Sequence, residues 1–339
     1  MDLAQLEAFV GELGEKKFRA GQIFTWLSRN AASFDEMTDL PKAFREKLKE
    51  EASLELPVIL RKQESSDGTR KYLLGLSDGQ AVESVFMKYN HGNSICLSSQ
   101  AGCKMGCVFC ASTLNGFKRN LTAGEMLGEM AAISRDTGES ISHIVIMGTG
   151  EPFDNYEEIS RFLNLVHHPK GRNLSLRNIT VSTCGLIPGI EKFGRDFPQV
   201  NLAISLHAPN DELRSQLMPV NKKYPLSDLL AACKEHGDIT GRRVTYEYTL
   251  IKDFNSEQVH AKELVSRLRG SLCHVNLIPL NPVKESPWKG VDRKKAQEFR
   301  DFLEDHGVPA TIRRELGRDI DAACGQLRLS HMEDTSETI

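Results

Sequence analysis

From about residue 93 onward the chain repeats one unit: a short apolar run of strand length, then a longer segment with apolar residues at helical spacing. The strand-like runs fall at residues 95–98, 143–147, 179–182, 202–206, 244–250 and 275–280, with a last one at 310–313. Helical segments are expected at 122–137, from 155, near 227–237, 256–269 and 293–306. Thr122-Ala123-Gly124-Glu125 opens the first as a capping box. Asn155 with Glu158 reads as a second capping-type start, with Ile159, Phe162, Leu163 and Val166 on one face. Such a chain forms parallel strands joined by right-handed helical crossovers. About six units predict an α/β fold that curls into a partial (βα)6 barrel, with active residues just past the carboxyl ends of its strands.

Residues 1–55 read differently. Leu6, Phe9, Val10 and Leu13 recur at helical spacing, as do Ile23, Phe24 and Leu27, then Leu40, Phe44 and Leu48. Pro41 suits the first turn of the third helix, with Thr38 or Asp39 near its cap. A small helical accessory domain is expected here. Residues 56–92 hold a hairpin signal, with runs 71–76 and 81–86 flanking Ser77-Asp78-Gly79. The core then spans 93–329, and the polar, acidic residues 330–339 are expected to be disordered.

No stretch approaches the roughly 18 apolar residues of a membrane span, and Met1-Asp2-Leu3-Ala4 shows neither a basic nor an apolar leader. A cytoplasmic location is expected, and no coiled-coil pattern argues against a monomer. In a reducing compartment, eight cysteines need another explanation than structural disulfides. A net charge of −3 carries no nucleic-acid signature, so any RNA contact must come from local patches.

Three of those cysteines form a C-x3-C-x2-C motif, Cys103, Cys107 and Cys110, in the loop after the first barrel strand. Thiolates at this spacing wrap one face of an iron–sulfur cube and leave one iron open for a ligand. Zinc held by three cysteines and water is the competing reading, as is a closed site with Cys96 as fourth ligand. Met147-Gly148-Thr149-Gly150-Glu151-Pro152 follows a buried strand: glycines admit a ligand to the backbone, and a carboxylate there pairs with an ammonium group. Ser182, Ser205, Leu206, His207 and Asn281 stand at the ends of later strands, where hydroxyl and amide groups suit a ribose or an adenine. His207 is expected to hydrogen-bond rather than to ligate a metal.

The cysteine spacing resembles the radical S-adenosylmethionine (SAM) superfamily. The resemblance implies a [4Fe-4S] cluster on Cys103, Cys107 and Cys110 whose open iron chelates the amino and carboxylate groups of SAM. Reduction then cleaves SAM to methionine and a 5′-deoxyadenosyl radical, which requires an external electron donor such as flavodoxin or ferredoxin. Gly150 and Glu151 match the element that holds the SAM amino group.

Asp319-Ile320-Asp321-Ala322-Ala323-Cys324-Gly325-Gln326-Leu327 is similar to the signature of the RlmN/Cfr group of RNA methyltransferases. The match extends through 98–103, 118–122, the Ser-Leu-His-Ala-Pro-Asn-Asp run at 205–211 and the N-terminal segment 18–27. It implies that Cys324 carries a methyl group as a thioether. A thiolate attacks the methyl sulfonium of SAM readily, whereas an electron-poor adenine carbon does not. It also implies that Glu83 accepts a proton, that Cys96 resolves the adduct through a transient disulfide with Cys324, and that the helical domain contacts RNA. Cys184, Cys233 and Cys273 are left as small buried hydrophobes. Lys118, Arg119, Arg313 and Arg314 suit either phosphate contact or a solvated face. Pro152 and the full helical segment favour methylation of adenine C2 in 23S rRNA and tRNA over the Cfr-type C8 reaction. A non-catalytic, metal-stabilised RNA-binding protein is the reading from another class.

Overall fold

In the computed structural model the described residues are 1–114, 116–280, 288–314, 316–317 and 319–320. The helical spacing at the N-terminus gives α1 (Leu3–Glu12), α2 (Phe18–Ser28) and α3 (Lys42–Glu51), which bury Leu6, Val10, Ile23, Phe24, Phe44 and Leu48. Asp2 and Gln5 close a reciprocal capping box on α1. Neither Thr38 nor Asp39 caps α3; Pro41 itself stands at the cap. The Asp39 carboxylate instead ties the loop to α2, accepting from Trp26 Nε1 at 2.5 Å and from Gln22 Nε2 at 3.1 Å.

Four antiparallel strands follow: β1 (Val58–Glu64), β2 (Arg70–Gly75), β3 (Ala81–Tyr89) and β4 (Gly92–Leu97). β2 and β3 form the expected hairpin, in register at Leu74↔Val82 and Gly75↔Ala81. The Asp78 carboxylate accepts from Gln80 N across the turn. β1 was not expected; it adds an edge strand whose side chains alternate between exposed and half-buried.

The chain then makes a short ribbon of β5 (Gln100–Ala101) and β6 (Arg119–Asn120) around the cysteine loop. The repeat continues through α4 (Ala123–Thr137), β7 (His143–Ile146), α5 (Tyr156–His167), β8 (Ile179–Thr183), α6 (Ile187–Asp196), β9 (Asn201–Ser205) and α7 (Asp211–Leu217). It closes with α8 (Leu226–Thr240), β10 (Val244–Leu250), α9 (Gln258–Leu268), β11 (Cys273–Pro279), α10 (Arg293–Asp305) and β12 (Ala310–Ile312). β4, β7, β8, β9, β10, β11 and β12 pair in parallel in sequence order, extending the meander into one ten-stranded sheet. Among the described residues β12 does not pair with β1, so the barrel is partial.

α6 and α7 were missed in the sequence. The expected cap on α5 is also corrected. The Asn155 side chain caps nothing; its Nδ2 donates to the carbonyls of Ser99 and Leu121. Glu158 accepts from Ala123 N at the start of α4. The Thr122–Glu125 capping box forms as read. Ile144, Ile146, Val181, Leu202 and Ile204 of the sheet pack with Phe162, Leu163 and Phe193 of the helices in a continuous core, each burial worth about 1.5–3 kcal/mol. Cys184, Cys233 and Cys273 are buried, as the sequence suggested.

One charge-bearing residue lies inside this core. Glu129 of α4 is fully buried; its Oε2 accepts from Ser84 Oγ and from Ser98 N, while Oε1 has no partner among the described residues. Burial pushes its carboxyl up to about 8 from 4.5. Between those two values the unfolded chain binds fewer protons than the fold, so Glu129 costs stability progressively as pH rises, by up to about 1.4 kcal/mol per pH unit. Glu129→Gln is therefore expected to gain on the wild type from pH 5 to pH 8 in urea unfolding of the apoprotein. A difference that stays constant with pH would mean that Glu129 is already ionised in the fold.

Candidate active site

The carboxyl ends of the parallel strands meet at one cavity of about 590 Å³. Cys96 of β4, Ser182 of β8, Ser205 of β9, Glu247 and Thr249 of β10, and Arg313 beyond β12 all line it. So do Gly150 and Glu151 after β7, His207 after β9, and the three loop cysteines Cys103, Cys107 and Cys110. Cys96 and Arg313, 217 positions apart, are thus brought together by parallel topology, as expected for strand-end motifs. A second cavity of about 600 Å³, between the N-terminal helices and α4, is lined by side chains such as Leu6, Phe9, Leu27 and Leu54; none of the candidate site residues reaches it.

The cysteine loop is held from both sides. Cys110 N donates to Cys107 O, Thr113 Oγ1 donates to Cys110 O at 2.9 Å, and Val108 N donates to Leu217 O at the end of α7. Burial pushes the Cys103 thiol up to about 11 and that of Cys107 higher still, with the neighbouring cysteines adding to the shift. Thiolates at such positions need a metal's positive charge to form. Among the described residues no three Cys, His, Asp or Glu side chains converge on a single-ion site. The C-x3-C-x2-C spacing suits a cluster, in which each thiolate binds a different iron. Cys96 sits in the strand, paired with Val85 and Val145, apart from the loop.

Glu151 is buried and held by hydrogen bonds. Its Oε1 accepts from Phe153 N at 3.0 Å and its Oε2 from Cys184 N at 2.7 Å, while its own N–H donates to Gln100 Oε1. Burial raises its pKa against these hydrogen bonds. The two glycines before it serve the protein's own packing. A Cβ on Gly148 would lie 2.7 Å from Leu97 O, and one on Gly150 would lie 2.6 Å from Gln100 Cβ and 2.7 Å from Ser99 Oγ. Gly150 also has φ +112°, outside the range of an L side chain. Gly150→Ala is expected to destabilise the apoprotein by about 2–4 kcal/mol in denaturant unfolding, from backbone strain plus overpacking. A loss below about 0.5 kcal/mol would show that the 98–100 segment yields freely.

His207 lies in the left-handed region (φ +57°), pinned by Thr249 N donating to its Nδ1 at 3.1 Å and by Asn255 Nδ2 donating to its carbonyl at 2.7 Å. Phe109 of the cysteine loop meets its ring edge-on at 4.8 Å. Burial, and then the Arg214 charge, lower its pKa to about 3, so the ring is neutral with its proton on Nε2. Leu206 is the exception among the stations. It is absent from the cavity wall; its side chain joins the core, and its backbone N–H and carbonyl are taken by Glu247 O and Arg214 Nε.

Glu83 does not line the cavity either, nor is it a surface carboxylate. It shares the inward face of β3 with Val85 and Met87, which do line it, and pairs with Lys71 Nζ at 3.2 Å, the two side chains being 4% and 0% exposed. Asn281 and Cys324 lie outside the described residues. The chain leading to Cys324 is anchored, however: Asp319 accepts from Ser66 N at 3.0 Å and from Ser65 Oγ, Gly317 N donates to Asp67 Oδ2, and Gly317 and Ile320 line the cavity. Glu247 was missed in the sequence; a carboxylate inside the apolar run 244–250 was its signal. Asn276 Nδ2 donates to it at 2.8 Å.

A partial parallel barrel with three loop cysteines, a buried Gly-Glu turn and polar strand ends around one cavity defines the radical SAM class. The radical SAM superfamily matches residues 97–265, and the ribosomal RNA large subunit methyltransferase N-terminal domain matches residues 1–54. The chain is 49% identical over 336 residues to a probable dual-specificity RNA methyltransferase RlmN of Lachnospira eligens, covering 98% of this chain and 96% of the relative. It is 53% identical over 331 residues to the protein of the same description from Pelotomaculum thermopropionicum, covering 97% and 90%. A crystal structure of a radical SAM methyltransferase from Sphaerobacter thermophilus superposes with a TM-score of 0.92 at 45% identity, covering 96% of this chain and 97% of that one. The chain belongs to the RlmN family of radical SAM RNA methyltransferases, and it is accordingly a SAM-dependent RNA methyltransferase.

Proposed function

We propose that this enzyme methylates C2 of adenine in 23S rRNA and in tRNA, with Cys324 as the methyl carrier. The observation that carries the reading is convergence. The loop cysteines, Gly150, Glu151, Ser182, Ser205, His207, Cys96 and the chain entering the Cys324 segment border one cavity. Ile320 lines it, and four residues of chain reach at most about 14 Å.

Cys103, Cys107 and Cys110 would hold the cluster, with Gly150, Glu151, Ser182, Ser205, His207 and Asn281 around SAM. Together the two groups supply a one-electron cleavage that yields a hydrogen-abstracting radical. Cys324 takes the methyl group as a thioether and, after abstraction, bonds through its methylene to the adenine carbon. Glu83 accepts the proton lost from that carbon. The adduct would also give up its unpaired electron to the external one-electron carrier. The Cys96 thiolate then attacks the Cys324 sulfur, and the S–C bond breaks with its electron pair left on the methylene carbon, which takes a proton to complete the methyl group. A disulfide forms, and the methylated base leaves.

The helical segment 1–55 is assigned to RNA contact, supported by its match to a ribosomal RNA methyltransferase domain. The electron comes from an external carrier of the flavodoxin or ferredoxin kind. Among the described residues no helix is long and apolar enough to cross a membrane. A cytoplasmic monomer is the accompanying reading.

The test is nucleoside mass spectrometry. The protein is reconstituted anaerobically with iron and sulfide, then given SAM, a reductant and unmodified rRNA or tRNA. A 2-methyladenosine product is expected from both. An 8-methyladenosine product would move the enzyme to the Cfr-type reaction, and product from one RNA alone would remove the dual substrate.

A further inference from the structure

Arg214 of α7 is 0% exposed and makes no ion pair among the described residues. Four hydrogen bonds satisfy its guanidinium, all to neutral acceptors. Nε donates to Leu206 O at 3.2 Å and Nη1 to Asn221 Oδ1 at 2.9 Å; Nη2 donates to Cys184 O at 2.7 Å and to Ser205 O at 3.2 Å. Asn221 passes its own N–H bond on to Asp211, the nearest carboxylate in the network, which remains one side chain removed. Neutral acceptors solvate a cation but leave its net charge uncompensated, and buried charges are ordinarily paired.

The position of this charge is specific. α7 ends at Leu217, whose carbonyl receives Val108 N–H from the middle of the cysteine loop. Leu217, Met218 and Cys184 form one apolar cluster against which Met105, Cys107 and Phe109 pack. The guanidinium thus lies in the dry wall behind the loop and clasps the ends of β8 and β9, which carry Ser182 and Ser205. A cube held by three thiolates is net anionic and becomes more so on reduction, and its potential follows nearby charge.

We propose that Arg214 is a positioning residue with an electrostatic role: the fixed buried counter-charge of the iron–sulfur cluster, which raises its reduction potential while holding the two strand ends in place. The inference rests on the cluster reading of Cys103, Cys107 and Cys110. A positive charge nearby stabilises the reduced cluster, so its removal shifts the midpoint potential to more negative values.

The test uses the full-length protein reconstituted with iron and sulfide, comparing the wild type with Arg214→Lys, Arg214→Met and Arg214→Gln. Iron and sulfide content, thermal unfolding of the apoproteins and a redox titration followed by electron paramagnetic resonance are measured. Support is a midpoint potential shifted negative in both neutral variants and kept near the wild-type value by lysine. Retention of the cluster by lysine alone, with all apoproteins folding alike, is support as well. Neutral variants with the wild-type potential overturn the proposal. So does lysine failing in the same way as methionine and glutamine, which would reduce Arg214 to a packing role. A wild-type protein that assembles no cluster would instead overturn the reading of the cysteine loop, and this proposal with it.

Discussion

Cys324→Ala is expected to abolish RNA methylation to the background of the assay while the protein still assembles its cluster and still cleaves SAM reductively. The proposed cluster ligands are three other cysteines, Cys103, Cys107 and Cys110, so iron and sulfide content should stay at the wild-type level. What alanine removes is the proposed nucleophile. Sulfur attacks a methyl sulfonium readily, whereas the electron-poor adenine carbon does not. Loss is complete rather than graded, since without a methyl carrier there is no site for abstraction. Cys96→Ala separates the later step. It leaves the carrier and removes the attacking thiol, so protein should accumulate covalently on RNA and migrate with it under denaturing conditions. Methylation retained by Cys324→Ala would sink the carrier role, and free RNA with normal product from Cys96→Ala would sink the resolving role.

Lys71→Met should cost about 3–5 kcal/mol of apoprotein stability at neutral pH, because it leaves the Glu83 carboxylate buried beside a methyl group. The two side chains sit diagonally on the inward face of β2 and β3, where Leu73 faces Glu83 and Lys71 faces Val85 across the strands. Removing both charges is a different experiment. Lys71→Met with Glu83→Met replaces the pair by apolar volume and is expected to recover most of the loss, since desolvating two ions offsets much of their attraction. Denaturant unfolding of the single and double variants measures this directly. A single variant within about 0.5 kcal/mol of wild type would mean that water reaches the pair. The pairing bears on function as well: it holds the proposed proton acceptor on the face that borders the cavity.

Several local features were legible in the residues. Thr122 and Glu125 cap α4 as read, and Asp78-Gly79 turns the β2–β3 hairpin. These succeed because a cap or a tight turn is decided within four residues. β1 escaped notice because edge exposure removes the apolar alternation: Val58 and Leu60 are exposed, Ile59 is half-buried between them, and residues 61–64 are charged or polar. α6 carries Pro188, Gly189 and Gly194, which read as breakers, yet Pro188 falls in the first turn, where proline is tolerated. α7 spans only Asp211–Leu217, too short for a period to emerge. Asn155 and Glu158 resembled a cap in spacing, but longer-range carbonyl and amide partners claimed both side chains.

The sequence by itself determined the βα repeat, the three-cysteine loop and the set of polar stations at strand ends, because periodicity and motif spacing are near-neighbour properties. It also carried the family resemblance. Only the tertiary structure decided which stations reach the cavity: Ser205 and His207 line it while Leu206 turns into the core. It alone revealed that Gly148 and Gly150 pack tightly against the 97–100 segment, that Glu83 is partnered by Lys71, and that Arg214 is a buried cation behind the cysteine loop. These depend on atoms far apart in the chain, and the free energy of a buried charge or a close contact is set by what surrounds it, which no local pattern encodes.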